Sequence, residues 1–159
     1  MQKITPFLWF VKDADKAAKF YVSIFGKDSK IIAKQKLENT PSGPNAFIIV
    51  LKLNGLVFNF INGGNNPGFD KFYPSTSFVI NCKNQKEVDH YWNSLVKGGK
   101  VYACGWLTDK FGVTWQIVPI EMGKYLGGTD PKGRVRAMKV MLKMKKLDIG
   151  TLKRAYKKE

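Results

Sequence analysis

The chain has 159 residues and is 44% apolar, which suits one domain, or two small subdomains sharing a core, and needs no covalent staples. Its formal charge is +15, carried by 24 Lys and only 3 Arg spread along the whole length. Lysine is a point charge without the forked donors that read phosphates and bases, and the aromatics sit in apolar runs, so a solvated basic surface is expected rather than a nucleic-acid site.

Cys82 and Cys104 are too few for a disulfide framework and read as reduced thiols. The first residues, MQKITPFLWFVKD, lack a long apolar stretch followed by a small-residue cleavage site. No apolar run approaches the length of about 20 residues that a membrane span needs. The expectation is a cytoplasmic protein with no membrane partner.

In chain order, Lys3 to Val11 reads as a strand, and Pro6 within it argues for an edge or a bulge. Asp13 stands where a helix N-cap belongs. Ala17, Tyr21 and Ile24 form a helical stripe ending at the cap glycine Gly26. Ser29 to Leu37 reads as a strand, and Glu38 to Asn45 as a polar loop. Ala46 to Leu53 and Leu56 to Ile61 are strands joined by the hairpin signal Asn54-Gly55. Asn62 to Gly68 breaks the pattern.

The second half repeats the plan. Ser75 to Cys82 is a strand, and Asn84 with Glu87 resembles a capping box. Val88, Tyr91, Trp92 and Leu95 make the next helical stripe, which Gly98-Gly99 ends. Lys100 to Thr108, a DKFG turn and Val113 to Val118 complete the strands. Phe20 and Trp92 are 72 residues apart, as are Gly26 and Gly98. A strand-helix-strands unit therefore occurs twice, which signals an internal duplication.

After Pro119 the chain turns helical. Asp130-Pro131 is an N-cap followed by proline. Met138, Met141, Leu142 and Met144 form an apolar stripe. Asp148 can cap a last helix, with Leu147 and Leu152 as its hydrophobic staple. The stretch from Lys132 to Lys158 carries 11 basic residues. A basic amphipathic tail can lie on a membrane, or dock on its own domain or a partner subunit with the basic face to water; the second is the expectation.

Side-chain alternation divides each strand into two faces. Phe58 and Phe60 oppose Val57, Asn59 and Ile61. Phe78 and Ile80 oppose Ser77 and Val79. Trp115 and Ile117 oppose Thr114 and Gln116. The apolar faces should lie under the helices. The mixed faces should line a concave interior with a few convergent amides and hydroxyls, as small-molecule pockets do. Trp9 and Trp106 could stack on a planar ligand or pack in a core. Cys104 could be a nucleophile, but no histidine accompanies it, so an inert role is expected. Asp109 is expected to bond its own turn. The ligand-contacting set is thus Trp9, Asn59, Ile61, Ser77, Cys104, Trp106, Thr114 and Gln116, with no catalytic residue assigned.

The segments ITPFLWF, AAKFYVSIFG, FINGG, SFVINC and above all CGWLTDKFGVTWQIVP resemble the PhnB-like branch of the vicinal oxygen chelate superfamily. That superfamily includes glyoxalase I, bleomycin-resistance proteins and extradiol dioxygenases. The branch is often labelled 3-demethylubiquinone-9 3-methyltransferase-like. The resemblance extends to MLKMKKLDI near the C-terminus. It implies an α+β fold of two tandem βαβββ modules, about 1–64 and 72–120, forming a curved, cleft-like mixed sheet. The domain would span 1–120, and 121–159 would be a basic helical C-terminal tail. It also implies a homodimer.

Metal-dependent relatives hold an ion with two histidines and two glutamates. By motif, those places fall at Pro6, near Asn59, near Ser77 and at Gln116. None offers the imidazole or carboxylate that zinc or iron favours, so no metal and no other cofactor is expected. No glycine-rich loop of the kind that holds S-adenosylmethionine follows the first strand, and GGNN precedes no helix signal. The expected function is metal-independent binding of a small molecule. An isomerase, lyase or transferase of the same fold, the methyltransferase-like activity included, is the alternative. A basic nucleic-acid-binding protein is the third reading.

Overall fold

A computed structural model describes residues 2–158. The elements in order are β1 (Phe7–Phe10), α1 (Ala14–Phe25), β2 (Lys30–Lys36), β3 (Phe47–Leu53), β4 (Leu56–Asn62), β5 (Phe78–Cys82), α2 (Gln85–Leu95), β6 (Lys100–Val101), β7 (Trp106–Thr108), β8 (Thr114–Pro119), α3 (Met122–Leu126), α4 (Pro131–Met141) and α5 (Ile149–Lys157). The strands form two four-stranded sheets, ordered β1-β4-β3-β2 and β5-β8-β7-β6. Each sheet has one parallel pair, β1 with β4 and β5 with β8, and antiparallel pairs elsewhere. The duplication read from the sequence is therefore a duplication of topology. The chain falls into two compact units, up to Lys71 and from Phe72 onward.

In the first unit, α1 lays Ala14, Ala17, Ala18, Tyr21 and Ile24 on the sheet, where Leu8, Phe10, Ile49, Leu51, Phe58 and Phe60 are buried. Three small alanines bring the helix close, and the aromatic rings fill the space. Phe10 and Tyr21 lie 4.9 and 5.8 Å from the Phe60 ring, centroid to centroid. β1 is an edge strand, as Pro6 requires, and the Pro6 carbonyl still accepts from Asn59 N at 2.9 Å. Asn54 and Gly55 both have positive φ, 43° and 90°, the geometry of a two-residue hairpin turn.

Asp13 does not cap α1 with its side chain. Its φ is 65°, and its carboxylate instead meets Lys16 Nζ at 2.8 Å. That hydrogen bond holds the Asp13 carboxyl below the usual range. The first helical N–H, from Ala14, goes to Asn62 Oδ1 at the end of β4, at 3.3 Å. A tertiary cap replaces the local one.

In the second unit, Val88, Trp92 and Leu95 of α2 are buried, as are Ile80, Cys82, Leu107, Trp115 and Ile117 of the sheet. Asn84 Oδ1 caps α2 by accepting from Glu87 N at 3.0 Å. The stretch expected as one strand from Lys100 to Thr108 is two, β6 and β7. Between them Cys104 and Gly105 take φ of 59° and 83°, which no strand allows.

The tail docks on this same unit. Tyr125, Ala137 and Leu152 form a small core, with Met122, Leu126, Met141, Met144, Ile149 and Tyr156 packed against it. Met138 and Leu142 of the expected stripe are 40% and 59% exposed instead. The segment joining α4 to α5 is fastened by its backbone: Cys104 N donates to Met144 O at 2.8 Å and Gly105 N to Lys145 O at 2.7 Å. The Gln85 amide donates to Leu147 O at 3.2 Å and accepts from Ile149 N at 2.9 Å. Asp89 and Lys146 pair at 2.6 Å. Leu147 is fully buried, and a Cβ on Gly105 would stand 3.0 Å from its Cδ1.

Leu147→Ala should destabilise the protein by about 2–5 kcal/mol, the usual cost of a buried leucine truncation. Urea denaturation measures this, and a loss under about 1 kcal/mol would show that the tail does not rest on Leu147. Acid should also loosen the tail. The hydrogen bond from Lys146 holds the Asp89 carboxyl below its ordinary value, and the one from Thr151 does so for Asp148. Depressed folded-state values stabilise fully above the unfolded carboxylate range and lose that contribution as pH falls through the folded values, below about pH 4. The denaturation midpoint should therefore drop between pH 5 and pH 3 (roughly spanning that range), and less steeply in Asp89→Asn.

Candidate functional site

Each sheet has a second face, turned away from α1 or α2. In the second unit, register places Trp106 opposite Gln116 and Thr108 opposite Thr114, with Val79 of β5 beside Gln116. Gln116 Nε2 donates to Ser77 Oγ at 2.9 Å. The hydroxyls of Thr108 and Thr114 lie 3.2 Å apart, and Thr108 Oγ1 donates to the Tyr102 hydroxyl at 3.5 Å. Thr114 is 1% exposed, Ser77, Trp106 and Gln116 are half-buried, and Val79 is 49% exposed. The result is a short run of neutral amide and hydroxyl groups beside an indole. Thr108 and Tyr102 were absent from the expected set. The signal for Thr108 was available, because a turn at 109–113 pairs residue 108 with residue 114.

In the first unit, Trp9 stands opposite Ile61, and Ile61 opposite Ile48, while Asn59 pairs Phe7 and Val50 on the same face. Asn59 is half-buried and Ile61 is 7% exposed. Trp9 is held by its own chain. Its indole N–H donates to Gly64 O at 3.0 Å, and its ring lies 5.0 Å from Phe69. Gly63 is packed so tightly on it that a Cβ there would stand 2.3 Å from the ring. The glycine pair thus folds the following loop over Trp9. No helix comes after β4 until α2, so the pair is not built as a nucleotide loop.

Asp109 fastens the hairpin between β7 and β8. It is 3% exposed. Its Oδ1 accepts from Phe111 N at 2.8 Å and Val113 N at 3.2 Å, and its Oδ2 from the Trp115 indole at 2.7 Å. Such a carboxylate organises a turn and locks the tryptophan beneath the sheet. Cys104 sits in the turn that receives the tail, with Sγ 3.7 Å from Met141 O. Burial pushes the Cys82 thiol up to about 12, which keeps it protonated and unreactive at neutral pH.

The resemblance puts the ligand places of metal-dependent relatives at Pro6, near Asn59, near Ser77 and at Gln116. Pro6 offers only its carbonyl, which already receives Asn59 N at 2.9 Å. Ser77 and Gln116 are bonded to each other. Among the described residues no three His, Cys, Asp or Glu are grouped as a metal site. His90 lies exposed on α2. Neutral oxygen donors do not fit zinc or iron.

The family pattern described as 3-demethylubiquinone-9 3-methyltransferase matches residues 2–118. The chain belongs to that family. Among solved structures it is similar to a PhnB protein from Bacillus cereus, at 32% identity and a TM-score of 0.66, over 74% of this chain and 99% of the other. It shares the fold of the fosfomycin resistance protein FosX from Listeria monocytogenes, at 15% identity, a TM-score of 0.53, and coverage of 74% and 90%. It shares it also with the trypanothione-dependent glyoxalase I of Leishmania major, at 11% identity, a TM-score of 0.51, and coverage of 75% and 86%. No curated protein matches. The family match stops at residue 118, so MLKMKKLDI and the rest of the tail lie outside it. No helix among the described residues is long and apolar enough to cross a membrane.

Asp109→Asn tests the fastening. One oxygen becomes an NH2 that faces either the indole N–H or the two backbone N–H groups, leaving buried donors unmet. The expected loss is about 1–3 kcal/mol by urea denaturation, with a shifted Trp115 indole proton resonance. An unchanged midpoint would mean the carboxylate is not what holds the turn.

Proposed function

We propose that this protein binds a small, oxygenated or aromatic molecule without a metal ion, on the sheet faces turned away from α1 and α2. What carries the reading is the bond from Gln116 to Ser77 at 2.9 Å. Where the resemblance puts two metal ligands, an amide and a hydroxyl satisfy each other, and together they can donate to and accept from a neutral polar group. Trp106 beside them supplies an aromatic wall, and Thr114 with Thr108 a second hydroxyl pair. In the first unit, Trp9, Asn59 and Ile61 stand on the corresponding face of its own sheet. The reading includes a homodimer in the cytoplasm, where the free thiols Cys82 and Cys104 stay reduced.

The family description favours a second reading, methyl transfer. That chemistry needs a general base beside the acceptor hydroxyl and a place for the methyl donor. The polar groups around Gln116 include no titrating base, and the Gly63-Gly64 pair is occupied by Trp9. Binding without chemistry is therefore the preferred conclusion.

A thermal-shift screen of small aromatic and oxygenated compounds should give a stabilising hit. Gln116→Leu should then weaken that hit by roughly tenfold or more in calorimetry, because Ser77 loses its partner and the ligand a donor. Unchanged affinity would remove the site from this face. Elemental analysis of the purified protein should find metal well below one per chain; stoichiometric metal would overturn the metal-free reading. S-adenosylmethionine should produce no saturable heat, and a saturable one would favour the methyltransferase.

A further inference from the structure

On the helix side of the first sheet, a groove of about 670 Å³ opens between the start of α1 and the strands β2 and β3. It lies on the opposite face from Trp9, Asn59 and Ile61. α1 does not cover this corner of the sheet. β2 pairs Lys34 with Ile49 and Lys36 with Phe47, so both lysines project to the helix side, beside the Phe47 ring. Lys34 Nζ stands 3.9 Å from the centre of that ring. Lys12 closes the groove from the other side, and Ala46 and Phe47 give it an apolar floor.

The groove is preformed. Asn62 ties its walls together, accepting from Ala14 N at 3.3 Å and donating to Asn45 O at 3.4 Å. Asp13 and Asp15 also line it. The Asp13 charge is held by Lys16 at 2.8 Å, outside the lining set. That leaves three lysines facing one aspartate. A smaller cavity of about 400 Å³ shares Lys36 and Pro44 and is bordered by Thr40. The Thr40 hydroxyl oxygen is buried with no hydrogen-bond partner among the described residues.

We infer that this groove binds a small organic anion, an apolar or aromatic body carrying a carboxylate or phosphate. The lysines meet the charged head, and the Phe47 floor meets the body. A volume of several hundred Å³, an apolar floor and a few convergent polar groups are what small-molecule sites have in common. Lysine ammonium groups recognise charge rather than the planar shape that arginine reads, so the class is set by charge and by the apolar body. The site is independent of the faces proposed above, and either can fail alone.

Phenyl phosphate is the probe, with inorganic phosphate and phenol as its two halves. In amide correlation spectra of the full chain, phenyl phosphate should shift the amides of Asp15, Lys34, Lys36, Asn45 and Phe47 saturably. Each half alone should bind at least roughly tenfold more weakly. The double variant Lys34→Gln, Lys36→Gln should lose roughly tenfold in affinity with an unchanged denaturation midpoint, since both side chains are exposed. Gln116→Leu should bind the probe as the parent does. No saturable shift, shifts spread over lysines elsewhere, equal affinity for inorganic phosphate, or an unaffected double variant would each overturn the inference. So would loss of binding in Gln116→Leu.

Discussion

Each sheet has two faces, and α1 or α2 of its own unit lies on only one of them. Everything else in the molecule answers that constraint. The helix-covered faces carry the buried apolar side chains: Phe58, Phe60, Ile49 and Leu51 in one sheet, and Trp115, Ile117, Ile80 and Leu107 in the other. The opposite faces must tolerate water or a ligand, and so carry Asn59 in one unit and Ser77, Thr108, Thr114 and Gln116 in the other. A slip of one residue in β8 would send Gln116 under α2 and Trp115 out, exchanging a buried amide for an exposed indole. Asp109 is what forbids the slip. By accepting from Phe111 N, Val113 N and the Trp115 indole, it fixes the turn and the tryptophan together.

That logic was legible because a period of two needs only neighbours in sequence. The repeated strand-helix-strands order, the face assignments, the Asn54-Gly55 turn and the role of Asp109 all follow from local pattern, while the βαβββ plan was what the resemblance implied. The misreadings have one physical source, which is distance along the chain. Asp13 has the composition of an N-cap, but Asn62, far ahead in sequence and adjacent in space, reaches Ala14 N first. Lys100 to Thr108 has the composition of one strand, but Cys104 and Gly105 turn their N–H groups to the carbonyls of Met144 and Lys145. Nothing near Gln85 announces that its amide brackets Leu147 and Ile149.

The family and the chemistry part company at Gln116. The family is shared with a protein described as a methyltransferase, and the fold alone with a fosfomycin resistance protein and a glyoxalase. Yet a shared fold carries a site only if the side chains come with it. By the resemblance, the places of the carboxylate and imidazole ligands carry an amide, a hydroxyl and a proline in this chain. With Gln116 and Ser77 bonded to each other, that face has no buried charge to compensate and has hydrogen-bonding capacity to spare.

The lysines of β2 invite a blander account, because an edge strand needs charge to prevent pairing with another chain. β2 is such an edge, exposed along its whole length. Edge protection alone is indifferent to the side of the sheet on which the charges fall. Lys34 and Lys36 both fall toward α1, at the corner the helix leaves open, and one of them leans on Phe47. Lys30, paired with Lys52, guards the other end of the same strand beside the exposed Ile31 and Ile32. What edge protection leaves unexplained is the seat of Lys34 on the Phe47 ring, both of which line the groove.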